Sequence, residues 1–131
     1  MTDRDLINIA SAVMKNAYIP YSRLPVGAAL ECDDGSVTAG CNVENAALGC
    51  TICAERSAVC AAISKGYRNF RRIAVISSDT EYCMPCGQCR QVLFEFSPSM
   101  EVLCARADGR YVSHRLSDLL PEAFGKQMLD K

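Results

Sequence analysis

Two short segments of the chain carry residue types that together can bind a metal ion and move a proton. They are Cys53-Ala54-Glu55 and Pro85-Cys86-Gly87-Gln88-Cys89, and each lies at the start of a predicted helix. Two cysteines three positions apart can place both sulfurs on one side of a helix's first turn, whose positive dipole end favours thiolates. Zinc prefers such soft, deprotonated ligands in a tetrahedral array. Three cysteines therefore predict a zinc site whose fourth position is open to water.

Glu55 follows two residues after Cys53, so a helix projects it beside the metal ligand and into a cleft rather than behind the metal. A carboxylate there can take a proton from an activated water and deliver it to a leaving group. A helical glutamate is usually solvated, and only the neighbouring ligand favours catalysis here. We predict that Glu55 is the proton-transferring residue.

A structural zinc site is the main alternative. The chain contains nine cysteines, and two Cys-x-x-Cys pairs, 50–53 and 86–89, would form a closed four-cysteine shell. Cys83 is a less favoured replacement for Cys86. A closed four-cysteine shell binds no water, so an acid beside it would have no proton to transfer. The carboxylate after Cys53 therefore favours an open, catalytic site.

The composition limits the kinds of partner. The 131 residues include 14 basic and 15 acidic side chains, for a net charge of −1, which argues against a polynucleotide partner. No stretch is long and apolar enough to span a membrane. The polar N-terminus does not resemble a secretory signal, so we expect reduced cysteines and a cytoplasmic protein.

The length of 131 residues suits one domain, which we expect to span residues 1–131. The element order αββαβαββα indicates an α/β fold, a three-layer α/β/α sandwich with a mixed five-stranded sheet. The first predicted helix begins at a cap on Thr2 and carries apolar residues to Ala17. The other predicted helices span residues 51–64, 86–96 and 116–120, and the predicted strands span residues 26–32, 37–43, 72–77, 101–106 and 111–113.

The metal-binding segments match the signature of zinc deaminases. Beyond that signature, the chain resembles the small homotetrameric cytidine deaminases nearly end to end. The joint occurrence of the matching runs in one order is highly specific. The runs are Tyr21-Ser22, Pro25-Val26-Gly27-Ala28-Ala29-Leu30, Gly40-Cys41-Asn42-Val43-Glu44-Asn45-Ala46, Cys53-Ala54-Glu55-Arg56, Pro85-Cys86-Gly87-Gln88-Cys89-Arg90-Gln91 and Leu119-Leu120-Pro121-Glu122-Ala123-Phe124.

The resemblance implies hydrolytic deamination of cytidine and 2′-deoxycytidine to uridine and 2′-deoxyuridine plus ammonia, as in pyrimidine salvage. One Zn²⁺ per subunit would be held by Cys53, Cys86 and Cys89. Zinc-bound hydroxide would attack C4 of cytosine, while Glu55 protonates N3 and later the amino group. The backbone N–H of Ala54 would meet the O2 carbonyl.

The resemblance also implies how the nucleoside is held. Asn42 and Glu44 would grip the ribose hydroxyls, although residues of these types also end strands in turns. Phe124 would pack on the base from a neighbouring subunit, which would make a homotetramer with shared active sites necessary for activity. A core or interface aromatic without ligand contact is the alternative for Phe124.

Arg56 has a physical reason to lie beside the metal. Three thiolates on Zn²⁺ leave a charge of −1 that opposes formation of hydroxide, and a guanidinium donating to a sulfur would drain that charge. The resemblance implies this contact and implies that Gln91 helps to position Arg56. A surface ion pair is the alternative.

Two residues depart from the family pattern, because Leu24 and Leu48 stand where phenylalanine and tyrosine are common. The first lies near the base in the family, so substrate affinity and tolerance of modified cytidines are in question. A modified cytosine nucleoside or a nucleoside antibiotic is therefore the alternative substrate. A polynucleotide deaminase, a non-catalytic zinc module and a thiol-redox protein are less favoured.

Overall fold

The fold is built on a five-stranded sheet with strand order β2-β1-β3-β4-β5 in a computed structural model that describes residues 1–129. The strands are β1 (Val26–Cys32), β2 (Val37–Cys41), β3 (Phe70–Ser77), β4 (Glu101–Ala105) and β5 (Tyr111–Arg115). The helices are α1 (Asp3–Met14), α2 (Ala54–Ser64), α3 (Gly87–Phe96) and α4 (Leu116–Leu119). Within residues 1–129, none of the helices has the length and apolarity needed to cross a membrane.

The sheet is mixed, as the sequence predicts. β3 and β4 pair in parallel. This is possible because α3 lies between them in the chain and carries the chain back to the end of the sheet at which β3 begins. The remaining neighbours, β2 with β1, β1 with β3 and β4 with β5, are antiparallel. The parallel pair places the carboxyl end of β3 beside that of β4, and the chain leaves β3 there towards α3.

Alternation along the central strands creates two apolar cores. In β3, Ile73 and Val75 face the core formed with α2, α3 and α4, whereas Ala74 and Ile76 face the core formed with α1. All four side chains are buried. Helices therefore cover both faces of the sheet, and the predicted three-layer α/β/α sandwich is confirmed.

The first helix is shorter than the apolar pattern predicts. Thr2 and Asp5 form the predicted capping box. The helix ends at Met14, however, and Tyr18 donates a backbone hydrogen bond to the Asn42 carbonyl at 3.0 Å. This pairing draws the chain away from the helical path before Ala17, so the predicted extension to that residue is wrong.

The start of α2 also differs from the prediction. Val43 and Ile52 exchange two backbone hydrogen bonds of 3.0 Å, and this isolated bridge holds residues 51–53 extended. The predicted second strand consequently ends at Cys41 instead of continuing to Val43, and α2 begins at Ala54 rather than at residue 51. A 3₁₀ turn at Leu48–Cys50, which was not predicted, fills the intervening loop.

α2 lies very close to the sheet where it crosses β2. A Cβ on Gly40 would lie 2.5 Å from the backbone nitrogen of Ala58 and 2.7 Å from the carbonyl oxygen of Ala54. Only glycine leaves room for this contact. The contact fixes the first turn of α2, and thus its metal-binding end, against the sheet.

Candidate active site

Three cysteine sulfurs converge where α2 and α3 begin. Cys53 is the N-cap residue of α2, Cys86 is the N-cap residue of α3, and Cys89 lies in the first turn of α3. Their Sγ atoms all lie within 4.8 Å of one another, and those of Cys53 and Cys86 are 3.8 Å apart. A tetrahedral ion with bonds of about 2.3 Å would separate two sulfurs by about 3.8 Å. The three cysteines therefore fit a zinc ion.

The sulfurs lie in an environment that stabilises negative charge. A hydrogen bond from the Cys89 thiol, followed by those from Arg56 and Cys86, lowers the pKa of Cys53 to about 5 against the opposing effect of burial. The same interaction with Cys53, together with burial, raises the pKa of Cys89. The hydrogen bond between the two thiols thus favours negative charge on Cys53 over Cys89, and the N-terminus of α2 also favours a negative charge on Cys53.

The closed four-cysteine alternative finds no support in the geometry. Among residues 1–129, the only group of potential ligands consists of Cys53, Cys86 and Cys89. Cys50 is exposed and lies outside that group. Cys83 is also outside it, and burial raises the pKa of its thiol to about 12. The group leaves a fourth coordination position for water.

Glu55 is buried beside these ligands, with 4% of its surface exposed, and lines the adjoining cleft. Burial is the main cause that raises its pKa to about 7, and the negative charge of Cys53 contributes further. A carboxyl group with this pKa can exist in both protonation states near neutral pH. Its position on the first turn of α2 follows directly from its spacing after Cys53.

Arg56 reaches from α2 back to the metal-binding group. Its Nη2 donates to the Cys53 sulfur at 3.2 Å, and its Nε is buried without a hydrogen-bond partner among residues 1–129. The interaction with the Cys53 sulfur is the main cause that raises the pKa of Arg56. The guanidinium therefore offsets part of the charge on the thiolates.

Gln91 does not contact Arg56 through a hydrogen bond in the described part of the chain. Its Nε2 instead donates to the carbonyl of Phe124 at 2.9 Å. The Phe124 ring is 56% exposed and does not line the cleft of its own chain. This hydrogen bond ties Gln91 to the C-terminal residues, and its expected role in positioning Arg56 stays a prediction.

Asn42 and Glu44 organise the loop that forms one wall of the cleft. Asn42 accepts from the Val26 N–H at 2.9 Å and donates to the Leu24 carbonyl at 2.9 Å. Glu44 accepts from two consecutive backbone N–H groups, those of Tyr21 at 3.0 Å and Ser22 at 3.1 Å. Hydrogen bonding with Ser22 is the main cause that lowers the pKa of Glu44.

The cleft beside the sulfurs has a volume of about 310 Å³. Of the residues predicted to bind substrate, Leu24, Asn42 and Ala54 line this cleft together with Glu55, whereas Glu44 does not. Leu48, the second departure, is 75% exposed and does not line it. Ala54 is the first residue of α2, so its N–H lacks an intrahelical acceptor.

Sequence reasoning missed a second group of residues that line the cleft, which begins at the last residue of β3 and ends at Met84. These residues are Ser77, Asp79, Glu81, Tyr82, Cys83 and Met84. Ligands in α/β folds commonly bind beyond the carboxyl ends of parallel strands. The end of β3 was therefore a usable signal for Ser77 and Asp79, while the remaining loop residues carried none.

The family model for the cytidine and deoxycytidylate deaminase zinc-binding region matches residues 1–105. The chain belongs to this family. The predicted zinc cofactor is confirmed by this match together with the three-cysteine group.

Relatives and solved structures from the family cover nearly the whole chain. A cytidine deaminase of Sporosarcina psychrophila is 43% identical over 125 residues, which are 95% of this chain and 92% of the relative. A cytidine deaminase of Mycobacterium tuberculosis is 47% identical over 116 residues, which are 88% and 84% of the two chains. A crystal structure of cytidine deaminase from Burkholderia pseudomallei has a TM-score of 0.92 at 46% identity and covers 95% of this chain and 100% of its own.

Proposed function

We propose that this protein hydrolyses cytidine and 2′-deoxycytidine to uridine and 2′-deoxyuridine, releasing ammonia. One observation carries the proposal: a buried carboxyl group, Glu55, lies beside a three-cysteine metal group at the wall of a nucleoside-sized cleft. Relatives that are similar over most of their length are named cytidine deaminases. Water replaces the 4-amino group, so no oxidant or second substrate is required.

Cys53, Cys86 and Cys89 would hold the zinc ion. When bound there, zinc lowers the pKa of a coordinated water and so supplies a nucleophile at neutral pH. Arg56 withdraws negative charge from the Cys53 sulfur through its 3.2 Å hydrogen bond. A less negative group of ligands assists the loss of a proton from water.

Glu55 moves the protons of the reaction. Its carboxylate oxygen accepts a proton from the attacking water and donates it to N3 of the base. The hydroxyl group that has added to C4 then gives up its proton through the same carboxylate to the amino nitrogen, and ammonia leaves as the C4–N bond breaks and the C4 carbonyl forms. Because its pKa is raised to about 7, chiefly by burial, the carboxyl group gains and loses protons with little free-energy change near neutral pH.

The cleft and the loop beside it offer complementary groups to the nucleoside. The free N–H of Ala54, at the start of α2, is suited to the O2 carbonyl of the base. Asn42 keeps one amide hydrogen and one oxygen lone pair beyond its two backbone contacts, and Glu44 keeps its second carboxylate oxygen. These groups can hold ribose hydroxyls while they fix the loop, with Leu24 against the base.

The active unit is proposed to be a homotetramer in which Phe124 enters the cleft of a neighbouring subunit. The exposed ring of Phe124 supports this role, because it is 56% accessible and lies outside its own cleft. Residues 1–131 are proposed to form one catalytic domain. Cytoplasmic location is proposed because nine free cysteines are typical of a reducing compartment.

A modified cytosine nucleoside is the second candidate substrate. Leu24 and Met84 both line the cleft and are 40% and 41% exposed, which makes an open apolar rim. Such a rim can accommodate a substituent on the base. The candidate differs from the first only in substrate range.

A spectrophotometric assay tests the proposal. Purified protein with measured zinc content is mixed with cytidine, deoxycytidine and cytidines carrying substituents on the base. Turnover of the unmodified nucleosides is expected, with about one zinc per chain. Turnover of the modified compounds alone would select the second candidate, and zinc binding without any turnover would refute both.

A further inference from the structure

The side chain of Arg90 on α3 contacts backbone carbonyls from two separate segments. Its Nε donates to the Pro85 carbonyl at 2.7 Å, and its Nη1 donates to the Leu119 carbonyl at 2.9 Å. Pro85 is buried and directly precedes the metal-binding Cys86, whereas Leu119 is the last residue of α4. One guanidinium therefore connects the metal-binding loop to the C-terminal part of the chain.

Neither carbonyl has a partner within a helix. Pro85 precedes the N-cap of α3, and the carbonyl of Leu119 is among the last of α4, where intrahelical donors are lacking. An unsatisfied buried carbonyl is costly, and hydrogen bonds from a charged donor are the stronger kind. Loss of the Arg90 side chain would thus release both segments.

Gln91 provides a second tie between α3 and the same C-terminal segment, which we define as residues 119–124. Its amide donates to the Phe124 carbonyl at 2.9 Å. Between the two ties, Glu122 adopts a positive φ of 51°, a backbone conformation that residues other than glycine rarely adopt. Two adjacent residues that follow the ligand Cys89 therefore hold both ends of this segment.

We propose that Arg90 is a positioning residue that couples zinc occupancy to the order of residues 119–124. Zinc fixes Cys86 and Cys89, which fixes the Pro85 carbonyl on which Arg90 rests, and the same guanidinium then holds Leu119. Coupling between two equilibria is reciprocal, so a docked segment also retains zinc more tightly. The proposal rests on the metal site alone, so it can fail while nucleoside turnover is intact.

Hydrogen exchange of the segment, read by mass spectrometry, tests the coupling. In the wild-type protein, chelation of zinc should speed exchange of residues 119–124 on the order of tenfold, relative to peptides of β1 that report global opening. In Arg90→Gln, exchange should be fast with or without zinc. Arg110→Gln removes a 75% exposed arginine from the β4–β5 turn and should keep the wild-type response.

Zinc affinity, measured by equilibrium competition with a chelator, gives the reciprocal measurement. Arg90→Gln should bind zinc on the order of ten times more weakly than the wild type, and Arg90→Lys, which cannot bridge both carbonyls, should fall between them. Should Arg90→Gln not fold, Gln91→Met serves instead, with a weaker exchange response to zinc expected. Wild-type exchange that is unchanged by chelation, or a full zinc response in Arg90→Gln, would overturn the proposal.

Discussion

The guanidinium of Arg56 and the sulfur of Cys53 form a hydrogen bond of 3.2 Å within one turn of the same chain segment. Cys53 is the N-cap residue of α2, and Arg56 stands on the third helical position. The first turn of α2 thus supplies both a metal ligand and the cation that offsets the negative charge of that ligand.

Replacing Arg56 with alanine should lower kcat on the order of tenfold to a hundredfold, because partners of metal ligands contribute that much to activity or metal affinity. The three-thiolate site would keep its full negative charge and resist deprotonation of water. Steady-state kinetics with zinc analysis would measure the effect. Arg110→Ala, at an exposed position, is the matched control, and unchanged kcat and zinc content in Arg56→Ala would count against charge compensation.

Glu55→Gln should retain zinc and the fold but lose turnover by about 10²-fold to 10⁴-fold, the usual contribution of a positioned proton-transfer group. Glutamine keeps the volume of the side chain but cannot cycle a proton. Single-wavelength kinetics, zinc content and circular dichroism would measure the three properties. The exposed Glu95→Gln on α3 is the control, and substantial residual turnover in the Glu55 variant would remove this residue from proton transfer.

The buried Glu55 should make stability depend on pH in the zinc-free protein. Burial raises its pKa from 4.5 to about 7, so the folded state holds a proton that the unfolded state releases between these values. The contribution is complete below pH 4.5 and is lost as the pH rises through 7. Urea unfolding should show Glu55→Gln gaining on the order of 3 kcal/mol relative to wild type between pH 4 and pH 8. A pH-independent difference would contradict the raised pKa.

The cysteine variants should separate an open zinc site from a closed one. Cys86→Ser should lose most bound zinc, because it removes one of three converging sulfurs, whereas Cys50→Ser should keep it. Atomic absorption after gel filtration would give zinc per chain. Loss of zinc from the Cys50→Ser variant would instead support the closed four-cysteine site.

Gly40→Ala should destabilise the protein by about 1–3 kcal/mol, the range for overpacking in a core. The added Cβ would lie 2.5 Å from the Ala58 nitrogen, which forces α2 away from β2. Thermal unfolding would measure this loss, with Gly49→Ala, which meets nothing within 4 Å, as the control. Equal melting temperatures for both variants would show that α2 can shift at no cost.

The sequence predicted the bounds of β1 better than the start of α2. Burial on both faces makes the apolar run of β1 unmistakable, and its bounds, Val26–Cys32, agree with the prediction. The start of α2 depends instead on the bridge between Val43 and Ile52, a long-range pairing between two loops. Local apolar spacing contains no information about that pairing.

The metal group was predictable because its ligands carry unusual chemistry at short spacings. The roles of Asn42 and Gln91 were less accessible, since their hydrogen bonds depend on where distant loops return. Arg90 gave no signal, because an arginine on an amphipathic helix is ordinary until its carbonyl partners are known. Side chains that form hydrogen bonds with distant backbone groups are therefore the part of the site that is hardest to predict from the sequence.

Cys53 and Cys86 are 33 residues apart in the chain, with the whole of β3 between them. An unfolded chain does not present the three sulfurs together, so zinc binds the native state far more tightly than the unfolded ensemble. Mass action then adds about 1.4 kcal/mol of stability for each tenfold rise in free zinc above the dissociation constant. The melting temperature of this protein should therefore rise with the concentration of free zinc.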